Sequence, residues 1–283
     1  MTVLEAIQKS TEFLVKKSVE SPRLQTELLI AHLLKMPRMK LYLNFDRALS
    51  PAEIDSLREL VKRRGQREPL QHIVGSTSFC GYEIAVSRHA LIPRPETELL
   101  AELGWKFLST INHQPSTALD FGTGTGCIAI ALAAKCPNAN ITALDVSADA
   151  LALAKQNALQ NQVAERIEFL QGDGFAALST KTQFDLLIGN PPYIASAEIE
   201  TLDPEVKGFD PLGALDGGAD GLDFYRRLAT EAKPFLKPDG KIMLEFGDGQ
   251  ADEIKKIFEN EKWIVEAVQE DYSQRARILT AHK

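Results

Sequence analysis

The sequence predicts a doubly wound α/β sheet of seven strands, preceded by a small helical bundle and a β-hairpin. Three observations predict it. Beyond about residue 93, apolar runs of strand length alternate with helical segments, the pattern of a sheet with a parallel centre. The last two runs are joined too briefly for a crossover helix, so that pair is expected to be antiparallel. Residues 1–75 show only helical periodicity, with repeated helix-start signals.

The elements follow in order. "TVLEAIQKSTEFLVKKS" sets Val3, Leu4, Ile7, Phe13 and Leu14 near one helix face. "SPRLQTELLIAHLLKM" opens with Ser21 as an expected N-cap and Pro22 in the first turn. "SPAEIDSLRELVKRRGQRE" repeats that start: Ser50 caps, Glu53 completes a capping box, and Gly65 is the expected stop. Arg58, Lys62, Arg63, Arg64 and Arg67 gather at the end of this helix. They either complement its C-terminal dipole, the favoured reading, or face a partner or RNA. Around 76–92, Gly81 and alternating apolar residues read as a hairpin connector. Strands are then expected at 117–122, 140–147, 166–173, 184–189 and 240–247, followed by "WIVEAVQED" and "RARILTAHK" as the closing pair. The expected domains are therefore 1–75, 76–92 and 93–283.

Composition narrows the class. Hydrophobic residues make up 44% of the 283, ample for a packed core. The first residues carry charges at helical spacing and do not read as a signal peptide. "CIAIALAA" is too short to span a bilayer. Three cysteines without a Cys-x-x-Cys, and histidines scattered at 32, 72, 89, 113 and 282, suggest neither a disulfide framework nor a metal site. A reduced, cytoplasmic protein is expected. Residues 1–75 hold 13 Lys+Arg and 9 Asp+Glu, whereas the remainder holds 19 and 30. An acidic α/β half argues against a stable nucleic-acid partner. The more basic helical segment is expected to recognise a protein substrate.

"ALDFGTGTGCIAIALA" places Gly122, Thr123, Gly124, Thr125 and Gly126 between a strand and a helix. Glycine there permits a sharp turn and close approach of a ligand. The spacing departs from the dinucleotide fingerprint, and no Lys-Ser/Thr follows to hold a triphosphate. Asp120 beside the loop disfavours phosphate and favours a cationic or hydroxyl-bearing ligand. Asp145 ends the next strand about 20 residues on, where a ribose-binding acid sits in such folds. Asp173 ends the third strand, within reach of an adenine ring. As Ser147 is the better helix cap, capping alone does not explain Asp145.

"FDLLIGNPPYIAS" ends a fourth strand with Asn190, Pro191, Pro192 and Tyr193. The prolines cannot donate to a ladder, so the strand stops. Asn190 precedes a proline and is held extended, projecting beyond the strand end where such sheets bind ligands. A terminating turn alone would explain an isolated Asn-Pro-Pro. Here three acids at neighbouring strand ends converge on the same sheet edge.

Together these motifs resemble the class I S-adenosylmethionine-dependent methyltransferases, with Asp120–Gly126 as the first motif, Asp145 as the ribose acid and Gly172-Asp173 on the adenine side. Asn190–Tyr193 resembles the motif of enzymes that methylate amide or exocyclic amine nitrogen. "PLQHIVGSTSF", "LIPRPETE", "NPPYI" and "ALDGGADGLDFYRRL" narrow the resemblance to the release factor N5-glutamine methyltransferases, in that family's order and spacing. The resemblance implies a Rossmann-like methyltransferase sheet and S-adenosyl-L-methionine as cofactor. It also implies transfer to the glutamine of a Gly-Gly-Gln motif in peptide-chain release factors. Asn190 and Pro191 would supply two acceptors to the target nitrogen, and Tyr193 would pack flat against it. An aromatic commonly follows the adenine-side Asp in the family. Gly174 stands there instead, with Phe175 next, so either of the two forms the adenine wall. The same constellation fits an exocyclic amine of adenine or guanine in RNA or DNA, which is the alternative substrate.

Overall fold

The computed structural model describes residues 1–112 and 114–283; His113 lies outside the described residues. The chain forms two compact units, Met1–Ser76 with Asp203–Phe209, and Thr77–Leu202 with Asp210–Lys283.

The first unit holds helices α1 (Val3–Lys16), α2 (Pro22–Leu33), α3 (Arg38–Leu41), α4 (Pro51–Gly65) and α5 (Leu70–Val74). Both α1 and α4 start in full capping boxes, Thr2 with Glu5 and Ser50 with Glu53. Each box satisfies two otherwise orphaned N–H groups. Ser21 does not cap α2: its backbone is left-handed (φ 45°) and its side chain makes no capping bond. Nor does Gly65 stop α4. It is the last helical residue, and the left-handed turn falls at Arg67 (φ 70°). Gly65 is small for packing, since a Cβ there would lie 2.5 Å from Phe13 Cε1. Val3, Ile7, Leu14, Leu29, Ile30, Leu41, Leu57 and Val61 form the core of this unit.

The chain continues with a hairpin, β1 (Ser76–Phe79) and β2 (Tyr82–Ala85), then α6 (Pro95–Leu108). The sheet elements follow as β3 (Ser116–Phe121), α7 (Cys127–Lys135), β4 (Ala139–Asp145), α8 (Ala148–Gln160), β5 (Ile167–Gln171) and β6 (Phe184–Gly189). After β6 come α9 (Pro204–Phe209), α10 (Asp223–Glu231), β7 (Leu236–Glu245), α11 (Ala251–Asn260), β8 (Ile264–Glu270) and β9 (Ala276–His282). Among these, α9 belongs to the helical unit. Its Glu205 carboxylate accepts from Arg64 Nη2 at 2.6 Å and from Arg67 Nε and Nη2 at 2.7 and 2.6 Å. Two members of the basic cluster are therefore internal ion-pair partners, a role neither sequence reading gave them.

The seven strands run in the order β5-β4-β3-β6-β7-β9-β8. The first five in that order are parallel, and β9 is antiparallel to both β7 and β8. Successive residues of a strand point to opposite faces. Ala118, Ala143, Leu186 and Ile188 accordingly pack with α6, α7 and α8, while Leu119, Leu144 and Leu187 pack with α10 and α11. Strand order reverses between β3 and β6. A doubly wound sheet opens a crevice at such a point, beyond the carboxyl ends of its strands. No helix among the described residues is long and apolar enough to cross a membrane.

Candidate active site

A cavity of about 240 Å³ lies in that crevice. The loop after β3 forms its floor through Gly122, Thr123, Gly124 and Thr125, and the end of β4 adds Leu144, Asp145 and Val146. Gly172, Asp173 and Gly174 enter from the turn after β5, and Asn190, Pro191 and Pro192 from the end of β6. The segment before and within α6 contributes Pro93, Arg94 and Thr97. Motifs as far apart in the chain as Gly122 and Pro192 thus meet because parallel strands deliver their C-terminal ends to one edge.

The acids differ in role. Asp120 is fully buried beneath the loop rather than exposed in the cavity. Its Oδ2 accepts from Thr123 Oγ1 at 2.6 Å and from the Ala129 N–H at 3.1 Å, tying the loop to α7. Burial pushes its pKa up to about 7 against those bonds, and Asp145 adds repulsion. Asp145 lines the cavity. One oxygen accepts from the Gly124 N–H at 2.8 Å and the other from the Ser147 N–H at 2.9 Å. Each oxygen keeps a further lone pair for a ligand hydroxyl. Gly126 does not reach the cavity. Its φ of 81° starts α7, and a Cβ would lie 3.0 Å from Ala154 Cβ, so it serves helix packing.

On the adenine side two placements correct the sequence expectation. Phe175 is buried in the core, stacked on Phe235 at 4.9 Å and tilted against Phe121 at 5.4 Å, so it does not wall the cavity. Phe224 lines the cavity instead. Over Gly174 lies the Arg227 guanidinium, which also donates to Asp173. A residue with a β-carbon at 174 would collide with it.

Asn190 is held by its amide nitrogen. Nδ2 donates to Glu245 Oε1 at 2.9 Å and to Thr97 Oγ1 at 3.2 Å. Both N–H groups are thereby used, and Oδ1 remains. Among the described residues no group donates to Asn190 Oδ1 or to the Pro191 carbonyl. The loop is braced from behind by the "ALDGG" stretch. Ile194 N–H donates to the Leu215 carbonyl, Gly217 N–H donates to the Ile194 carbonyl, and Gln250 Nε2 donates to the Tyr193 carbonyl at 2.9 Å. Tyr193 itself is placed otherwise than expected. Its ring packs beside Gly247, outside the cavity lining, and burial pushes its hydroxyl up to about 12. Asn157 of α8 was not singled out from sequence. It is fully buried, exchanges two hydrogen bonds with the Ala85 backbone and donates to the Thr125 carbonyl at 2.9 Å. It therefore pins the glycine loop to the hairpin.

Residues 5–75 match the PrmC N-terminal domain model and residues 104–202 match the methyltransferase small domain. The release factor glutamine methyltransferase of Geobacter sulfurreducens is 41% identical over 91% of this chain and 88% of its own. The chain belongs to the release factor glutamine methyltransferase family. The Chlorobaculum tepidum member is 38% identical over 99% of this chain and 96% of its own. A methyltransferase structure from Pyrococcus furiosus, 20% identical, shares the fold with a TM-score of 0.53, covering 78% of this chain and 97% of its own. S-adenosyl-L-methionine is the cofactor of this family, and the cavity fits it. The floor is a loop whose glycines leave open space (a Cβ at Gly122 would meet nothing within 4 Å), and Asp145 offers a carboxylate to ribose hydroxyls. Among the described residues no cluster of His, Cys, Asp or Glu could hold a metal ion.

Proposed function

We propose that this protein methylates the side-chain amide nitrogen of the glutamine in the Gly-Gly-Gln motif of peptide-chain release factors. The observation that carries the reading is the pair of unpartnered acceptors, Asn190 Oδ1 and the Pro191 carbonyl, at the cofactor cavity. A family relationship over nine-tenths of the chain supports the substrate class. When bound, S-adenosyl-L-methionine supplies an electrophilic methyl group on a sulfonium. Asp145 holds ribose hydroxyls, and the Gly122–Thr125 backbone lets the ligand approach closely.

An amide nitrogen is a poor nucleophile because its lone pair is delocalised into the carbonyl. Asn190 Oδ1 and the Pro191 carbonyl each accept one of its N–H groups. Held by both, the nitrogen is biased toward tetrahedral geometry, and positive charge developing on it meets two preorganised dipoles. The prolines keep those dipoles fixed, so little orientation remains to be found at the moment of reaction. The proton leaves to water after transfer, without a strong general base. The helical unit holds the protein substrate, in keeping with its basic excess. With three free cysteines, two of them buried, the protein is assigned to the cytoplasm. Asn190→Ala tests the reading. Turnover on a Gly-Gly-Gln peptide should fall on the order of a hundredfold or more while cofactor affinity holds. Turnover within a few-fold of the parent would overturn it.

A further inference from the structure

We infer that Thr97 and Glu245 are positioning residues that fix the orientation of the Asn190 amide, so that its oxygen and not its nitrogen faces the substrate. The inference rests on the proposed amide methylation and deepens it. Thr97 comes from α6 and Glu245 from the last residue of β7, 93 and 55 residues from Asn190 in sequence. Both are buried, at 3% and 2% exposure. Either orientation of an amide fills the same space, so sterics cannot choose between them. Hydrogen bonding can. An ionised Glu245 only accepts, and an overturned Asn190 would set its oxygen against the carboxylate Oε1, where the N–H now sits at 2.9 Å. The Thr97 hydroxyl oxygen accepts the second Asn190 N–H at 3.2 Å, and the same hydroxyl sits beside the Glu245 carboxyl and opposes the rise of its pKa. The three side chains form a directed network that is satisfied one way round.

The network has a pH limit. Glu245 Oε2 is buried without a partner, and burial raises the carboxyl to about 7, with Thr97 and Asn190 bonding against that rise. Glu96 on α6 adds repulsion and Arg277 on β9 attraction, while the hydroxyls of Tyr193 and Tyr225 of α10 also face it. Once protonated, Glu245 can donate as well as accept, and Asn190 loses its preference. Activity should therefore fall as pH drops through about 7. Asp120 is raised into the same range, so the wild-type profile alone does not separate them.

Glu245→Gln and Thr97→Val separate them. Both should lower kcat on a Gly-Gly-Gln peptide roughly tenfold, about one hydrogen bond, with peptide KM little changed. Thr97→Ser should restore turnover, and Glu245→Gln should lose the part of the acid limb that belongs to Glu245. A readout without cofactor or substrate is the side-chain NH2 resonance pair of Asn190 in the ligand-free protein, assigned by its disappearance in Asn190→Ala. It should exchange slowly with water and shift with a midpoint near pH 7, and Glu245→Gln should abolish that shift. Unchanged kcat and pH profile in both variants, or a rapidly exchanging, pH-insensitive pair in the wild type, would overturn the inference. A wild type that ignores the peptide while its NH2 pair behaves as described would sink the proposed reaction and leave the clamp standing.

Discussion

Gly217→Ala should damage the active site from behind its Asn190–Tyr193 loop. A Cβ at this position would lie 2.8 Å from the Pro192 carbonyl oxygen, 2.8 Å from the Gly221 carbonyl oxygen and 2.9 Å from Gly221 Cα. Every one of these neighbours is backbone, so no side chain can swing aside. Relief to an ordinary carbon–oxygen contact needs a shift of about 0.5 Å or more, and overpacking of this kind costs roughly 1–3 kcal/mol. If the Asn190–Tyr193 loop stays in place, the protein absorbs that cost, and Tm falls by several degrees, at about 2–4 °C per kcal/mol for a chain approaching this size. If the loop moves, the Pro191 carbonyl moves with it, and a misplacement near 1 Å costs on the order of a hundredfold in rate. Thermal melting and peptide turnover measured on one preparation distinguish the two routes. Gly208→Ala is the companion control: a Cβ there meets nothing within 4 Å, and the position is helical, so the change should be neutral or slightly stabilising. A Gly217→Ala protein with wild-type Tm and wild-type kcat would refute the bracing role of the "ALDGG" stretch.

Two other perturbations follow from buried polar groups. Asn157→Leu removes three hydrogen bonds and orphans the half-buried Ala85 N–H, so denaturant unfolding should show a loss of roughly 2–4 kcal/mol, and cofactor affinity should fall because the Thr125 turn loosens. Asp120 and Glu245 are both raised to about 7 from ordinary values near 4, so the folded state holds their protons over a range where the unfolded chain has released them. Their contribution to stability is full below about pH 4 and is lost as pH rises through about 7. Asp120→Asn should flatten that decline in a pH series of melting temperatures, and an unchanged slope would argue that Asp120 is not raised.

Much of this architecture is written locally. The central strands β3 and β6 are mostly apolar runs buried on both faces, and the two capping boxes are four-residue signals. Asp145 and Asn190 were legible because each sits at a strand end beside a turn. Thr97, Glu245 and Asn157 were not, because each acts on a partner 32 to 93 residues away and sits inside an ordinary helix or strand pattern. Spacing alone also could not choose between Phe175 and Phe224. Which ring meets the cavity depends on the turn after β5, where Gly174 is left-handed (φ 63°) and sends the next side chain into the core. Ser21 looked like a cap because its residue type and the following proline were right, but its backbone took a left-handed turn that carries the side chain off the helix end.

The central claim is that two fixed acceptors beside the cofactor cavity serve a glutamine amide. The direct measurement offers S-adenosyl-L-methionine labelled in its methyl group to purified release factor, ribosomal RNA and DNA in parallel, then locates the label by mass spectrometry. The account predicts one labelled methyl on the side-chain nitrogen of the Gly-Gly-Gln glutamine, absent with Asn190→Ala. Label on an adenine or guanine amine, with none on the glutamine, would contradict it.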